Sequence, residues 1–341
     1  MKSQAVYFTA PKNLSIQVEN LPPPAVGQLL IKTRLSAISA GTELLVYRGE
    51  FPQELPLDEN IASLAGNFAY PLKYGYAAVG EVVALGPGGD PAWLGKRVFT
   101  FQPHASHFLA APEELHPLPE DLPLEDAVFL PNMETAVNFL LDGAPLVGEQ
   151  IAVLGQGVVG LLTTALLAAT PVARLVSLDF LPLRRQASLE LGAHASLDPA
   201  EPNAVEQARA LLQSGSSYPG ADLIYELSGS PAALDQAIEI AGFSGRVVIG
   251  SWYGRKRAPI NLGGRFHRDR LQLISSQVST LAPVHLGRWD KARRFQTAWE
   301  WLRKIQPARL ITHRFALHQA REAYALLDEH PEETLQVILT Y

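Results

Sequence analysis

Two rhythms of apolar and polar positions divide this chain. Up to about residue 120, apolar residues come in short, partly alternating runs: "LLIKTRLSAIS" (29–39), "GEVVALG" (80–86) and "GKRVFTF" (95–101). Such alternation predicts half-buried strands, while Pro22, Pro23, Pro24 and the "GPGGDP" stretch predict the loops between them. A compact β-rich domain is therefore expected over residues 1–125. From about 150 the pattern changes to continuous apolar runs separated by stretches of helical spacing. The runs "IAVLG" (151–155), "RLVSLD" (174–179), "ASLDP" (195–199), "ADLIYEL" (221–227), "GRVVIG" (245–250) and "LQLISSQV" (271–278) read as strands. Of the helical patterns, "PLRRQASLELG" carries Pro182 near its start and Gly192 at its end, and "SPAALDQAIEIAG" offers Ser230 as N-cap, Pro231 at the first turn and Gly242 beyond the end. Strands and helices in this alternation predict right-handed βαβ units and an α/β fold built on a doubly wound parallel sheet, assigned to residues 126–280. The remainder, 281–341, reads as helix, strand, helix, strand; it is too short for a domain and is expected to pack back on the first one.

Composition narrows the class. The chain has 341 residues, 47% hydrophobic and 18% charged, which suits a folded globular protein of two domains. A net charge of −6 argues against a nucleic-acid partner, and the one basic run, "KARRF" (291–295), is expected to be a solvated helix face. There is no cysteine, which excludes disulfides, thiolate zinc sites and a cysteine nucleophile. The uncharged stretch 151–173 is long enough to raise a membrane span, but "GQG", Thr163, Thr164 and Pro171 within it suit a strand, turn and helix better. With no apolar leader in "MKSQAVYFTAPKN", a cytosolic protein is expected, acting on a small-molecule substrate away from membranes.

The chemistry-bearing motif is "VLGQGVVG", with Gly155, Gly157 and Gly160 in G-x-G-x-x-G spacing between an apolar strand and an apolar helix. Gly155 permits the sharp turn, Gly157 leaves room for a pyrophosphate, and Gly160 lets helix and sheet approach. Gln156, Val158 and Val159 lie in the same loop and helix start, whose free N–H groups face phosphate. Asp179, nineteen residues after Gly160, is placed to accept from both ribose hydroxyls and repel a 2′-phosphate, favouring NAD(H) over NADP(H). Arg184 and Arg185 nearby weaken that preference slightly. Gly250, ending the strand "GRVVIG", joins the predicted cofactor residues.

At this point the sequence resembles the medium-chain dehydrogenases/reductases, the superfamily of zinc alcohol and polyol dehydrogenases. "KYGYAAVGEVVALG" is similar to its Gly-His-Glu-x-x-Gly-x-Val segment, "GKRVFTF" to its Gly-x-Arg-Val strand and "VLGQGVVG" to its nucleotide loop. "DLIYELSGSPAALDQAIEIAGFSGRVVIG" matches its later Rossmann half, and "LITHRFALHQAREAYALL" its C-terminal segment. The stretch "SAISAGTELLVYRGEFP" is also similar to a subgroup that includes bacteriochlorophyllide hydroxyethyl dehydrogenases. The resemblance implies a GroES-like catalytic domain, a Rossmann domain, a cleft between them, and usually dimers or tetramers; a homodimer is expected here, with "LQLISSQV" pairing across the axis. It also implies zinc ligands that this chain lacks. The family's first cysteine falls at Ser39, its His and Glu at Tyr76 and Ala77, and its next ligand near Leu130 or Pro131. No zinc is expected.

Hydride transfer to or from nicotinamide still needs a group that steadies the substrate oxygen. Tyr76, in the lost histidine's place, is the first candidate, unless its ring simply packs in the core. Ser39 stands in the cysteine's place, and Glu43, beside Thr42, is a candidate base or orienting carboxylate or a helix N-terminal acid. His104, in "QPHASHF", is a candidate relay; His107 more plausibly starts a strand, and the H-x-x-H pair makes a poor metal site. Trp252 and Tyr253 are read as pocket walls, with Ser276 and Gln277 at the next strand's end; core or dimer packing is the alternative for all four. These residues point to a zinc-independent NAD(H)-dependent oxidoreductase interconverting a secondary alcohol and a ketone. An enone or quinone reductase and a dinucleotide-binding protein without turnover are the alternatives.

Overall fold

The protein is described by a computed structural model over residues 1–52, 61–64, 66–213 and 219–341. The chain divides into two units, residues 1–131 with 302–341, and residues 132–301. The first unit opens with β1 (Lys2–Ala10) and β2 (Asn13–Asn20), an antiparallel pair. Strands β3 (Leu29–Ala37), β4 (Ala78–Leu85), β5 (Arg97–Thr100), β6 (His107–Ala110) and β7 (Leu115–Pro117) form an antiparallel sheet in which β3 pairs with both β4 and β6. Helix α1 (Ala40–Arg48) leaves the end of β3, and Gly49 closes it in the left-handed conformation that glycine adopts without strain. Two further helices, α2 (Leu124–Ala127) and α3 (Leu130–Gly143), lead toward the second unit.

That unit is built from β8 (Gln150–Leu154), α4 (Val158–Ala168), β9 (Arg174–Leu178), α5 (Pro182–Glu190), β10 (Ala195–Leu197), α6 (Ala204–Leu211), β11 (Ala221–Glu226), α7 (Pro231–Ile240), β12 (Ala241–Ile249) and β13 (Gln272–Ser275). All six strands are parallel, in the order β10-β9-β8-β11-β12-β13. The continuous apolar run "IAVL" has its reason in this sheet. Ile151 and Val153 enter a core with Phe139, Leu167, Leu223 and Val248, while Ala152 and Leu154 enter another with Val176, Ala208, Ile224 and Leu234. A strand covered on both faces has no polar side to show. The stretch 151–173 is accordingly split between β8, a turn and α4, and no helix among the described residues is long and apolar enough to cross a membrane.

Helix α8 (Lys291–Ile305) follows, then β14 (Ile311–Ala316), α9 (Ala320–Glu329) and β15 (Gln336–Thr340). The last strand pairs with β14 in parallel and with β3 in antiparallel register, completing a seven-stranded sheet in the first unit. Phe8 of β1, Val46 of α1 and Tyr324 of α9 share one core, so the two ends of the chain fold together. The expected boundary at 281 differs from the observed one at 302.

The reason is a buried charge. Arg294, on the run expected to be solvated, is 1% exposed; it donates to the Glu134 carboxylate at 2.7 Å and to Asn138 Oδ1 at 2.6 Å on α3. Asn138 in turn donates to Asp142 and to Ser276 Oγ. Ser276 is therefore part of the interior of this unit, in line with the core alternative. Burial pushes the Glu134 and Asp142 carboxyls up from their ordinary values, with Arg294 opposing the shift at Glu134 and a Ser276 hydrogen bond opposing it at Asp142. Removing one partner of such a pair strands the other charge in the interior. Glu134→Ala is expected to lower stability by about 3–5 kcal/mol in urea unfolding; a loss within about 0.5 kcal/mol, the range of ordinary surface substitutions, would refute the pairing.

Candidate active site

The four residues proposed for chemistry in the first unit come together. Glu43 sits in the first turn of α1, where its Oε1 accepts from the Ser39 amide at 2.7 Å and so caps the helix start. Its Oε2 accepts from His104 Nε2 at 2.9 Å and from the Tyr324 hydroxyl of α9. On the far side of the imidazole, Ser36 Oγ lies 2.7 Å from His104 Nδ1 and 2.8 Å from the Tyr341 hydroxyl. Glu43, His104, Ser36 and Tyr324 are all buried. Burial and the Glu43 carboxylate push the Tyr324 phenol well above its ordinary value, so it holds its proton and serves as donor. Gly75 makes room for this arrangement: its φ is +120°, and a Cβ there would stand 2.8 Å from His104 Nε2.

Above this interior lies a pair of half-buried hydroxyls. Tyr76 donates to Ser39 Oγ and stands 3.4 Å from Thr42 Oγ1. The group thus has two levels, and the surroundings of Glu43 agree with the orienting and helix N-terminal readings rather than with a free base. Glu43 and His104 are interior supports and not groups that meet a substrate, because their polar atoms are already engaged and water is excluded around them. Tyr76 and Ser39 retain partial exposure. His107 opens β6, turned to Ser106 Oγ, with burial and the Lys32 charge holding its imidazole below its ordinary value. The two histidines of H-x-x-H therefore have different surroundings and form no site.

In the second unit the glycine loop has the geometry its spacing predicts. Gly155 adopts φ +90°, and a Cβ on Gly160 would stand 2.0 Å from the Gly155 carbonyl oxygen, so only glycine lets α4 sit on the loop. At Gly157, by contrast, an added Cβ meets nothing within 4 Å. The open space lies at the N-terminus of an eleven-residue helix, whose first amides, from Val158 and Val159 onward, lack intrahelical acceptors. This cradle fits a pyrophosphate. Strands β8 and β11 flank the point where the strand order reverses, the place where such sheets bind ligands.

Asp179, at the end of β9, is 8% exposed; its carboxylate accepts from the Gln156 amide at 2.7 Å and the Leu181 amide at 2.9 Å. Each oxygen keeps a further acceptor position. Arg185 is committed to the Asp179 and Phe180 carbonyls and to Asp198. The Gln156 side chain turns inward, accepting from Thr164 and donating to the Val153 carbonyl, so only its backbone faces the loop. Gly250 is a packing glycine: a Cβ there would lie 2.3 Å from Phe139. Tyr253 donates to Glu226, and Trp252 is exposed. Glu226, fully buried at the end of β11, was not singled out from the sequence; an acid directly after the apolar run Leu223–Tyr225 was the available signal.

The zinc implied by the resemblance does not fit these residues. Ser39 and Tyr76 offer neutral hydroxyls bonded to one another, Ala77 offers nothing, and Leu130 is a buried apolar side chain. Among the described residues, the one cluster of three His, Asp or Glu donors is His330, Glu332 and Glu333, which is exposed.

Comparison with known proteins agrees with the fold. Residues 158–303 match the model of the zinc-binding dehydrogenase family. The uncharacterized zinc-type alcohol dehydrogenase-like protein YphC of Escherichia coli K12 is 26% identical over 358 residues, covering 95% of each chain. The (R,R)-butanediol dehydrogenase of Bacillus subtilis is 27% identical over 69% of this chain and 73% of its own length. Among solved structures, RspB of E. coli CFT073, an alcohol dehydrogenase in complex with NADH, superposes with a TM-score of 0.80 at 20% identity, covering 100% of this chain and 99% of that one. The chain is thus similar over residues 158–303 to zinc-binding dehydrogenases and, over most of its length, to alcohol dehydrogenase-like oxidoreductases, whose fold it shares.

The glycine geometry separates structural from ligand-facing positions. Gly160→Ala is expected to lower Tm by many degrees, because helix and loop must part. Gly157→Ala, at the helix N-cap, should shift it by only about 2–4 °C, the scale of about 1 kcal/mol. Equal losses in thermal unfolding would contradict the contrast.

Proposed function

We propose that this protein is a metal-independent, NAD(H)-dependent oxidoreductase that interconverts a secondary alcohol and a ketone on a small-molecule substrate. The observation that carries the reading is the Tyr76–Ser39 hydroxyl pair. It stands at the positions where the resemblance expects zinc ligands, above a buried carboxylate that fixes its geometry. The dinucleotide, when bound, supplies or accepts the hydride. What the chain's own residues contribute is positioning and proton handling. The Gly157 opening and the α4 N-terminus receive the pyrophosphate, and Asp179 accepts from the ribose hydroxyls, which favours NAD(H).

At the substrate oxygen, the Tyr76 hydroxyl donates as negative charge develops in reduction and accepts the proton back in oxidation. Ser39 receives the Tyr76 hydrogen bond in the resting arrangement and keeps the phenol aimed. Glu43 holds Ser39 by its amide, and His104 and Tyr324 hold Glu43. A relay from Ser39 to Glu43 would have to pass through a backbone amide, so the proton is exchanged at Tyr76 and not drawn from the buried carboxylate. The same reading takes the working form as a cytosolic homodimer, joined through the sheet-edge strand β13.

The test joins metal analysis to a substitution. Protein produced with zinc in excess should carry none in stoichiometric amount, and a panel of secondary alcohols and ketones with NAD(H) should reveal turnover. Tyr76→Phe should then lower kcat by about 10²–10⁴-fold, the range for loss of a positioned acid, with little change in KM. Full zinc occupancy, or a Tyr76→Phe enzyme as fast as the parent, would overturn the mechanism. Asp179→Ala should shift preference toward NADP(H), measured as the ratio of kcat/KM for the two dinucleotides; an unchanged ratio would remove Asp179 from cofactor choice.

A further inference from the structure

One buried acid takes no part in the mechanism above. Glu226 ends β11 and is fully buried. Its Oε1 accepts from the Ser228 amide at 2.9 Å and from the Ser228 hydroxyl, and its Oε2 accepts from the Tyr253 hydroxyl. Three donors on two oxygens describe a carboxylate acting as acceptor only. All three donors are neutral, and among the described residues no Lys, Arg or His forms an ion pair with it. The nearby ammonium of Lys256 is placed on the Gly229 carbonyl, at 3.0 Å. A buried anion is ordinarily met by a cation; the Glu134–Arg294 pair of this same unit follows that rule, and Glu226 does not.

Its place in the sheet indicates where a positive charge would come from. The turn that Glu226 begins presses on the glycine loop, so closely that a Cβ on Gly155 would lie 2.5 Å from Ser228 Cα. Strands β11, β12 and β13 form the second half of the doubly wound sheet, and the half carrying Asp179 is the one that takes the adenosine ribose. The second half is thus left for the nicotinamide moiety. That moiety is a cationic pyridinium when oxidised and neutral when reduced.

We propose that Glu226 is an electrostatic determinant of cofactor redox state, its unpaired charge favouring binding of NAD+ over NADH. The inference rests on the dinucleotide reading given above. Tyr253 and Ser228 donate to its oxygens, and among the described residues no cation is paired with it. The effect acts on the two equilibrium affinities and needs no turnover to be seen.

Dissociation constants for NAD+ and NADH, by calorimetry and by NADH fluorescence at neutral pH, test it. The parent protein should bind NAD+ at least as tightly as NADH. Glu226→Gln should move the ratio against NAD+ by on the order of tenfold, the size of one unit charge acting over several ångströms in protein. Tyr253→Phe, which removes a donor and keeps the charge, should leave the ratio within about twofold. A folded Glu226→Gln protein with the parent's ratio, or a parent that binds NADH tenfold or more tightly than NAD+, would overturn the proposal while leaving dinucleotide binding intact. If Glu226→Gln does not fold, the parent's ratio and the Tyr253→Phe ratio decide. A parent that binds neither nucleotide would instead sink the dinucleotide reading itself, and this inference with it.

Discussion

A charge taken out of water must find its partners within the protein, and each unit of this chain is organised around carboxylates under that constraint. In the first unit Glu43 is the fixed point. Its two oxygens draw in the amide that starts α1, the imidazole of the loop after β5 and the phenol of α9. Leaving any of these donors unpartnered in the interior costs about 1–3 kcal/mol, so the three segments are held in one arrangement. The half-buried Tyr76 and Ser39 inherit their geometry from it. In the second unit, Glu134 does the same for α3 and α8, and Asp179 ties the end of β9 to the glycine loop.

This arrangement explains how a group of residues that does not suit zinc holds a fixed shape. A metal ion gathers ligands from separate segments and fixes their directions. Here a hydrogen-bonded carboxylate gathers Ser39, His104 and Tyr324 from comparably separate segments, and the imidazole passes the constraint on to Ser36 and Tyr341. The two devices differ in what they offer a substrate. A cation polarises an oxygen directly, whereas the buried Glu43 network offers rigidity, and in the function proposed above the hydroxyls over it carry the chemistry.

Much of the second unit was legible because its determinants are local. Strand, tight turn and helix follow one another within "IAVLGQGVVGLLTTALLA", and the steric demand on Gly160 arises from Gly155, five residues away. Arg294 was misread for the opposite reason. Its run looks like any solvated basic helix face, and its partner Glu134 lies 160 residues earlier. Gln156 and Gly250 were grouped with the cofactor by position, yet one turns its side chain inward and the other exists to admit Phe139.

The candidate site divides along the same line. By itself the sequence determined the parallel sheet, the glycine cradle, the acid at the end of β9 and the absence of zinc ligands at the expected positions. Each of these depends on residue type, short spacing or periodicity. Only the tertiary structure decided that Glu43 and His104 are interior supports while Tyr76 and Ser39 keep their exposure. Hydrophobic periodicity states whether a position faces in or out, but not which distant group it meets there; His104 and Tyr324 reach Glu43 across 61 and 281 residues of chain.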